Sequence, residues 1–312
     1  MDQKLSNIKI HWKRIIYLII VALFGLFIIN QVSSLRSSFK YLHLSDYRQY
    51  GLILLIVLGS FLMAALSYFV LSFRRLKLGR TLLVQFASNT LNKLLPAGIG
   101  AIGANYLYLR RTGSKPMQAA ATVGVNNIMG IIASIFLLVF LLVIHHGLGL
   151  KFARLDFDGI VIVSFSLIIL ITFLFLLKKI RTRIIKLVRS FIQQLVFYRD
   201  QPLRVLAGFG SQLMLALFNI LALYLSLRTV SASLNILAVM IIYSAAIWFG
   251  SLIPAPGGLG SVEAGLVGAF LAYGLGLPET IATVLIFRLL NFWAPLIVGV
   301  PALIIARSKQ YL

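Results

Sequence analysis

A chain of 312 residues that is 60% hydrophobic, 12% charged and formally +22 at neutral pH is too apolar for a soluble enzyme. Its Lys and Arg residues gather at the ends of apolar runs (Lys13-Arg14, Arg74-Arg75-Lys77, Arg110-Arg111-Lys115, Lys178-Lys179, Arg307 and Lys309). That placement orients helices across a membrane and meets anionic headgroups, and it is not the basic face of a nucleic-acid binder. The lack of cysteine removes disulfides, thiolate nucleophiles, zinc–cysteine sites and iron–sulfur clusters.

These features predict an all-α polytopic membrane protein, one integral membrane domain over 1–312. In chain order, residues 1–49 hold an uncleaved anchor helix (15–33) and an outer loop. A first unit, 50–144, contains a crossing at 50–72, a broken apolar stretch at 82–112 and a crossing at 117–144. A connection, 145–204, follows with a crossing at 160–177 and a basic amphipathic helix at 178–201 that suits the inner-leaflet interface. A second unit, 205–307, contains a crossing at 205–227, a broken stretch at 234–276 and a crossing at 278–306.

The broken stretches carry Asn89, Asn92, Lys93, Pro96, Gly98, Gly100 and Gly103 in one case and Pro254, Pro256, Gly257, Gly258 and Gly260 in the other. Interrupted backbone at membrane depth survives only where protein or a water-filled cavity shields it from lipid. Both stretches are therefore expected to be re-entrant hairpins, the first entering from the basic, cytoplasmic side and the second from outside. With six crossings, both termini return to the cytoplasm of a plasma membrane. Sliding the sequence by 158 positions sets Leu95-Pro96-Ala97-Gly98 against Ile253-Pro254-Ala255-Pro256 and Asn105 against Glu263. Each unit then continues with a proline (Pro116, Pro278) and a polar residue ten positions on, Asn126 or Arg288. The pattern predicts an inverted-topology repeat of the secondary-transporter kind, with the broken helices at the binding site.

Function is sought in the few polar groups set in apolar surroundings. Glu263 is the one acidic residue outside loops and helix ends, and Arg288 lies about 15 Å along its helix from Pro278. They are expected either to form a structural pair, with Ser261 capping the half-helix, or to hold a lipid headgroup between them. Asn89, Asn92, Lys93, Asn105 and Asn126 complete the candidate headgroup site, and the cavity is lined by the breaks at Pro96, Gly98, Gly100, Pro254, Pro256, Gly257, Gly258 and Gly260. No catalytic residue, metal or cofactor is assigned. Gly98-Ile99-Gly100-Ala101-Ile102-Gly103 spells a dinucleotide fingerprint but follows no strand. His145-His146, expected in a loop, lack further ligands for a metal.

The run from Ile253 through Pro254, Pro256, Gly257, Gly258, Gly260 and Glu263, followed by Arg288, resembles the signature of the lysylphosphatidylglycerol synthase transmembrane, flippase-like family. The stretch from Asn89 to Asn105 is similar to that family's first block. The resemblance implies a bacterial protein that moves aminoacylated phosphatidylglycerol, such as the lysyl lipid, between leaflets and so supports resistance to cationic antimicrobial peptides. The multiple peptide resistance factors join such a membrane domain to a soluble aminoacyl transferase. No transferase follows here, so a separate synthetase or glycosyltransferase partner, a scaffold or lysyltransferase-component role, and glycolipid or polyprenyl-linked sugar cargo all stay open. Membrane phospholipids are the expected partners, no nucleic acid is, and a homo-oligomer is allowed.

Overall fold

A computed structural model describes residues 47–95, 98–148, 196, 198–252 and 255–312. Every regular element among them is helical. The helices are α1 (Tyr47–Leu71), α2 (Leu78–Leu94), α3 (Ile99–Arg111), α4 (Pro116–Leu148), α5 (Pro202–Thr229), α6 (Ile236–Leu252), α7 (Ser261–Ala272), α8 (Leu277–Arg288) and α9 (Ala294–Ser308). Four stretches are long and apolar enough to cross a membrane: α1, α4 as far as Leu141, α5, and the continuous run from α8 through α9. They coincide with four of the expected crossings. The expected helices at 15–33 and 160–177, and nearly all of the amphipathic segment 178–201, lie outside the described residues.

Two details depart from expectation. The backbone at His145 and His146 is helical, because α4 runs on to Leu148. The last span is interrupted by a π turn, Leu289–Trp293, in which the Ala294 N–H bonds the Leu289 carbonyl five residues back. Its cause is local: Pro295 has no N–H to give to the carbonyl of Asn291.

Each broken stretch folds as two short helices packed on one another, α2 on α3 and α6 on α7. The second arm of each begins after a glycine in the left-handed region, Gly98 at φ 75° and Gly260 at φ 82°, where a side chain would be strained. Both hairpins close by the same tight crossing with the glycine on opposite arms. A Cβ on Gly100 of α3 would collide with the Leu91 carbonyl of α2, while one on Gly250 of α6 would collide with the Val262 side chain of α7.

The helix bounds recur along the chain. α1 and α5 end 158 residues apart (71 and 229), and α2 and α6 begin and end at the same offset (78 and 236, 94 and 252). Beyond the breaks the offset becomes 162, with α3 starting at 99 and α7 at 261. The second break is thus longer by four residues, which sets Glu263 against Ala101 instead of Asn105.

The main core joins α1, α5, α6, α7 and α8 through Ile53, Val57, Leu223, Leu227, Ile242, Leu266, Phe270 and Phe287. A second core, including Tyr68, Val84, Tyr108 and Val123, joins α1 to α2, α3 and α4. The turn of the second hairpin rests on the tip of the first: a Cβ on Gly257 would lie 3.2 Å from the Lys93 Cα and 2.8 Å from the Phe292 ring. The two breaks and the π turn therefore meet at one place.

Candidate functional site

Polar residues on α2 fall at positions 85, 88, 89 and 92, the spacing of a single helical face. Gln85, Ser88, Asn89 and Asn92 line a cavity of about 240 Å³ together with Ser60 of α1, Asn219 of α5 and Asn291 of the π turn. An adjoining lobe of about 210 Å³ shares Ala64, Gln85, Ala101 and Leu215 with it and adds Tyr68, Asn105, Asn126, Asn127 and Gln212. Gln85, Asn105, Asn126 and Asn219 are buried, which is tolerable because each has a hydrogen-bond partner. Gln85 Nε2 donates to Asn105 Oδ1 at 2.8 Å, and Asn105 Nδ2 donates to the Ala101 carbonyl at 2.9 Å. Asn126 Oδ1 accepts from Ser67 Oγ at 2.6 Å and from Gln212 Nε2 at 2.8 Å. Asn92 Oδ1 is buried and has no hydrogen-bond partner among the described residues.

Beside this cavity stands a charged cluster. Arg288 Nε donates to Glu263 Oε1 at 2.6 Å, forming the one ion pair found among the described residues, with both side chains largely buried. Arg288 NH2 also donates to the Gly258 carbonyl at 3.1 Å. The second oxygen of Glu263 accepts the Gly260 N–H at 2.8 Å, a reach back from N3 to the N-cap that satisfies an orphan donor. The cap position is thus Gly260; Ser261 instead donates to the carbonyls of Gly250 and Gly258, at 3.2 and 3.3 Å, bracing α7 on α6. Two cations lie over the Phe292 ring, Arg288 5.0 Å and Lys93 4.4 Å from its centre. Lys93 Nζ donates to the Phe292 carbonyl.

The seven side chains named from sequence therefore fall into two neighbouring groups. Asn89, Asn92, Asn105 and Asn126 line the cavity, while Lys93 and Arg288 lie against Phe292 and Glu263 pairs with Arg288. The groups adjoin through the peptide links Asn92–Lys93 and Asn291–Phe292. Gly98, Gly257, Gly258 and Gly260 shape the breaks, Gly100 shapes the crossing of α3 on α2, and none of them lines either lobe; Pro96 and Pro254 lie outside the described residues, and Pro256 belongs to a short 3-10 turn with Gly257 and Gly258. Gln85, Ser88 and Gln212 went unnamed, although the spacing of 85, 88, 89 and 92 and of 212 and 219 is the signal that finds them.

Apolar spans, paired broken helices and a polar cavity beside the place where the breaks meet define a polytopic helical membrane protein built around discontinuous helices. More particularly, the sequence profile of the lysylphosphatidylglycerol synthase TM region matches residues 14–299, and the chain belongs to that family. No curated protein matches the chain. Family membership supports a role tied to membrane lipids.

Proposed function

We propose that this protein is a lipid translocase that takes a phospholipid headgroup into the amide-lined cavity while the acyl chains stay in the bilayer. The observation that carries this reading is the convergence of polar side chains from α1, α2, α3, α4 and α5 on two adjoining lobes beside the place where two helix breaks meet. Discontinuous helices meeting at a polar site are the feature by which transporters bind cargo at midplane. In this reading the two hairpins are re-entrant, the units 50–144 and 205–307 are an inverted repeat, and the cell membrane holds both termini on its cytoplasmic side. The recurring helix bounds and shared left-handed caps support the repeat. The family description makes lysylphosphatidylglycerol the first lipid to try, and its export would blunt cationic antimicrobial peptides by lowering surface charge.

The test is a leaflet assay on liposomes carrying the purified protein and a trace of phosphatidylglycerol or lysylphosphatidylglycerol labelled on an acyl chain, bleached by a membrane-impermeant reductant. Bleaching that proceeds past the outer-leaflet half, for at least one of the lipids and only with protein present, is the expected result. A plateau at that half for every lipid would remove the translocase reading.

A further inference from the structure

None of the side chains lining the two lobes is charged. The polar part of the lining consists of amides and hydroxyls set among Phe61, Ala64, Ala101 and Leu215, and these offer donors and acceptors together and suit hydroxyl groups. An ammonium entering such a space would give up its hydration with no counter-charge to replace it. Glu263, the carboxylate closest to serving, lies outside the lining of both lobes, and its charge is already matched by Arg288 on one oxygen, with the Gly260 N–H on the other. The charge balance nearby runs the other way. Lys93 and Arg288 both lie near the Phe292 ring with the single carboxylate of Glu263 beside them, paired with Arg288, and Lys93 makes no ion pair among the described residues. Lys93 is thus the amine without an acid partner next to Asn92, whose buried Oδ1 has no partner among the described residues, and an anion brought to that amine would hold it protonated.

We infer that the site is charge-selective: it takes an uncharged, hydroxyl-rich headgroup into the amide-lined cavity, with the anionic phosphodiester held at Lys93, and it discriminates against cationic aminoacyl headgroups. The inference rests on the reading of the cavity as a headgroup site. It assigns the phosphate to Lys93 because the charge of Arg288 is already matched by Glu263, whereas Lys93 meets only the Phe292 carbonyl and ring and keeps ammonium protons to give. Lobes of about 240 and 210 Å³ fall below the ~300–1,000 Å³ of drug-sized pockets. Each lobe by itself suits a group of the size of a glycerol or one sugar ring.

The experiment measures stabilisation of the purified full chain in non-ionic detergent by three short-chain lipids: phosphatidylglycerol, a prenyl phosphate carrying one glucose, and lysylphosphatidylglycerol. The expected result is that the first or the second stabilises at about ten-fold lower concentration than the lysyl lipid. Which of those two acts at the lower concentration separates the glycerol source from the sugar source. Lys93→Gln is expected to weaken the anionic lipids about ten-fold, and Asn89→Asp, which places a carboxylate on the cavity wall, to shift preference toward the lysyl lipid. Equal responses to all three lipids, or a preference of the wild type for the lysyl lipid, overturn the inference whether or not the variants fold. The same lipids in the leaflet assay keep the two readings apart. Fastest movement of the lysyl lipid sinks the selectivity and leaves the translocase; selective binding without movement does the reverse.

Discussion

Glu263 and Arg288 show how far a single residue can be read. A carboxylate and a guanidinium in apolar stretches are legible because each is expensive there without a partner, and the structure does bring them together. Their division of labour was not legible, since it depends on the Gly260 N–H and the Gly258 carbonyl, backbone groups that sequence does not mark. With both oxygens of Glu263 in use, the pair holds the second break in shape. Glu263→Gln leaves a buried guanidinium without its anion, a change of about 3–5 kcal/mol against the fold. The expected outcome is a much lower melting temperature in detergent with no lipid present, and partial recovery when Arg288→Met is added. A normal melt together with lost transport would return Glu263 to a direct role with the headgroup.

At the scale of elements, apolar length located the four crossings, and glycine with proline located both breaks. The four-residue difference between the breaks escaped because a fixed slide of the sequence cannot open a gap. The π turn escaped because Pro295 marks an irregularity without specifying its form. Hairpin closure depends on helices approaching at backbone distance, as small residues permit in membranes. Gly100→Ala drives a methyl group into the Leu91 carbonyl, an overpacking that costs about 1–3 kcal/mol. Gly103 sits on the same helix with nothing within 4 Å of its would-be Cβ. There alanine gains helix propensity, up to about 1 kcal/mol. Thermal melts should therefore move in opposite directions for the two substitutions, and equal shifts would show that the crossing is not tight.

For the whole molecule, the arms of the hairpins are too short to be independent spans. α3 has 13 residues and α7 has 12, about 20 Å or less of helix against roughly 30 Å of hydrocarbon. α2 and α6, at 17 residues each, reach only about 26 Å. Each pair is accommodated if it dips in and returns to the side it left, with its turn meeting the other at Lys93, Gly257 and Phe292. The charges at the hairpin ends agree: Lys77 and Lys115 flank the first, and no basic residue lies between Val230 and Thr280 around the second. Because the chain has no cysteine, single cysteines can report sidedness without a background. Lys77→Cys and Lys115→Cys should react with an impermeant maleimide from one side of the membrane in intact cells or inverted vesicles. Ser233→Cys and Leu277→Cys should react together from the opposite side. If the members of either pair label from different sides, that hairpin crosses the bilayer, the two units no longer oppose each other in orientation, and the shared cavity loses its place at the midplane.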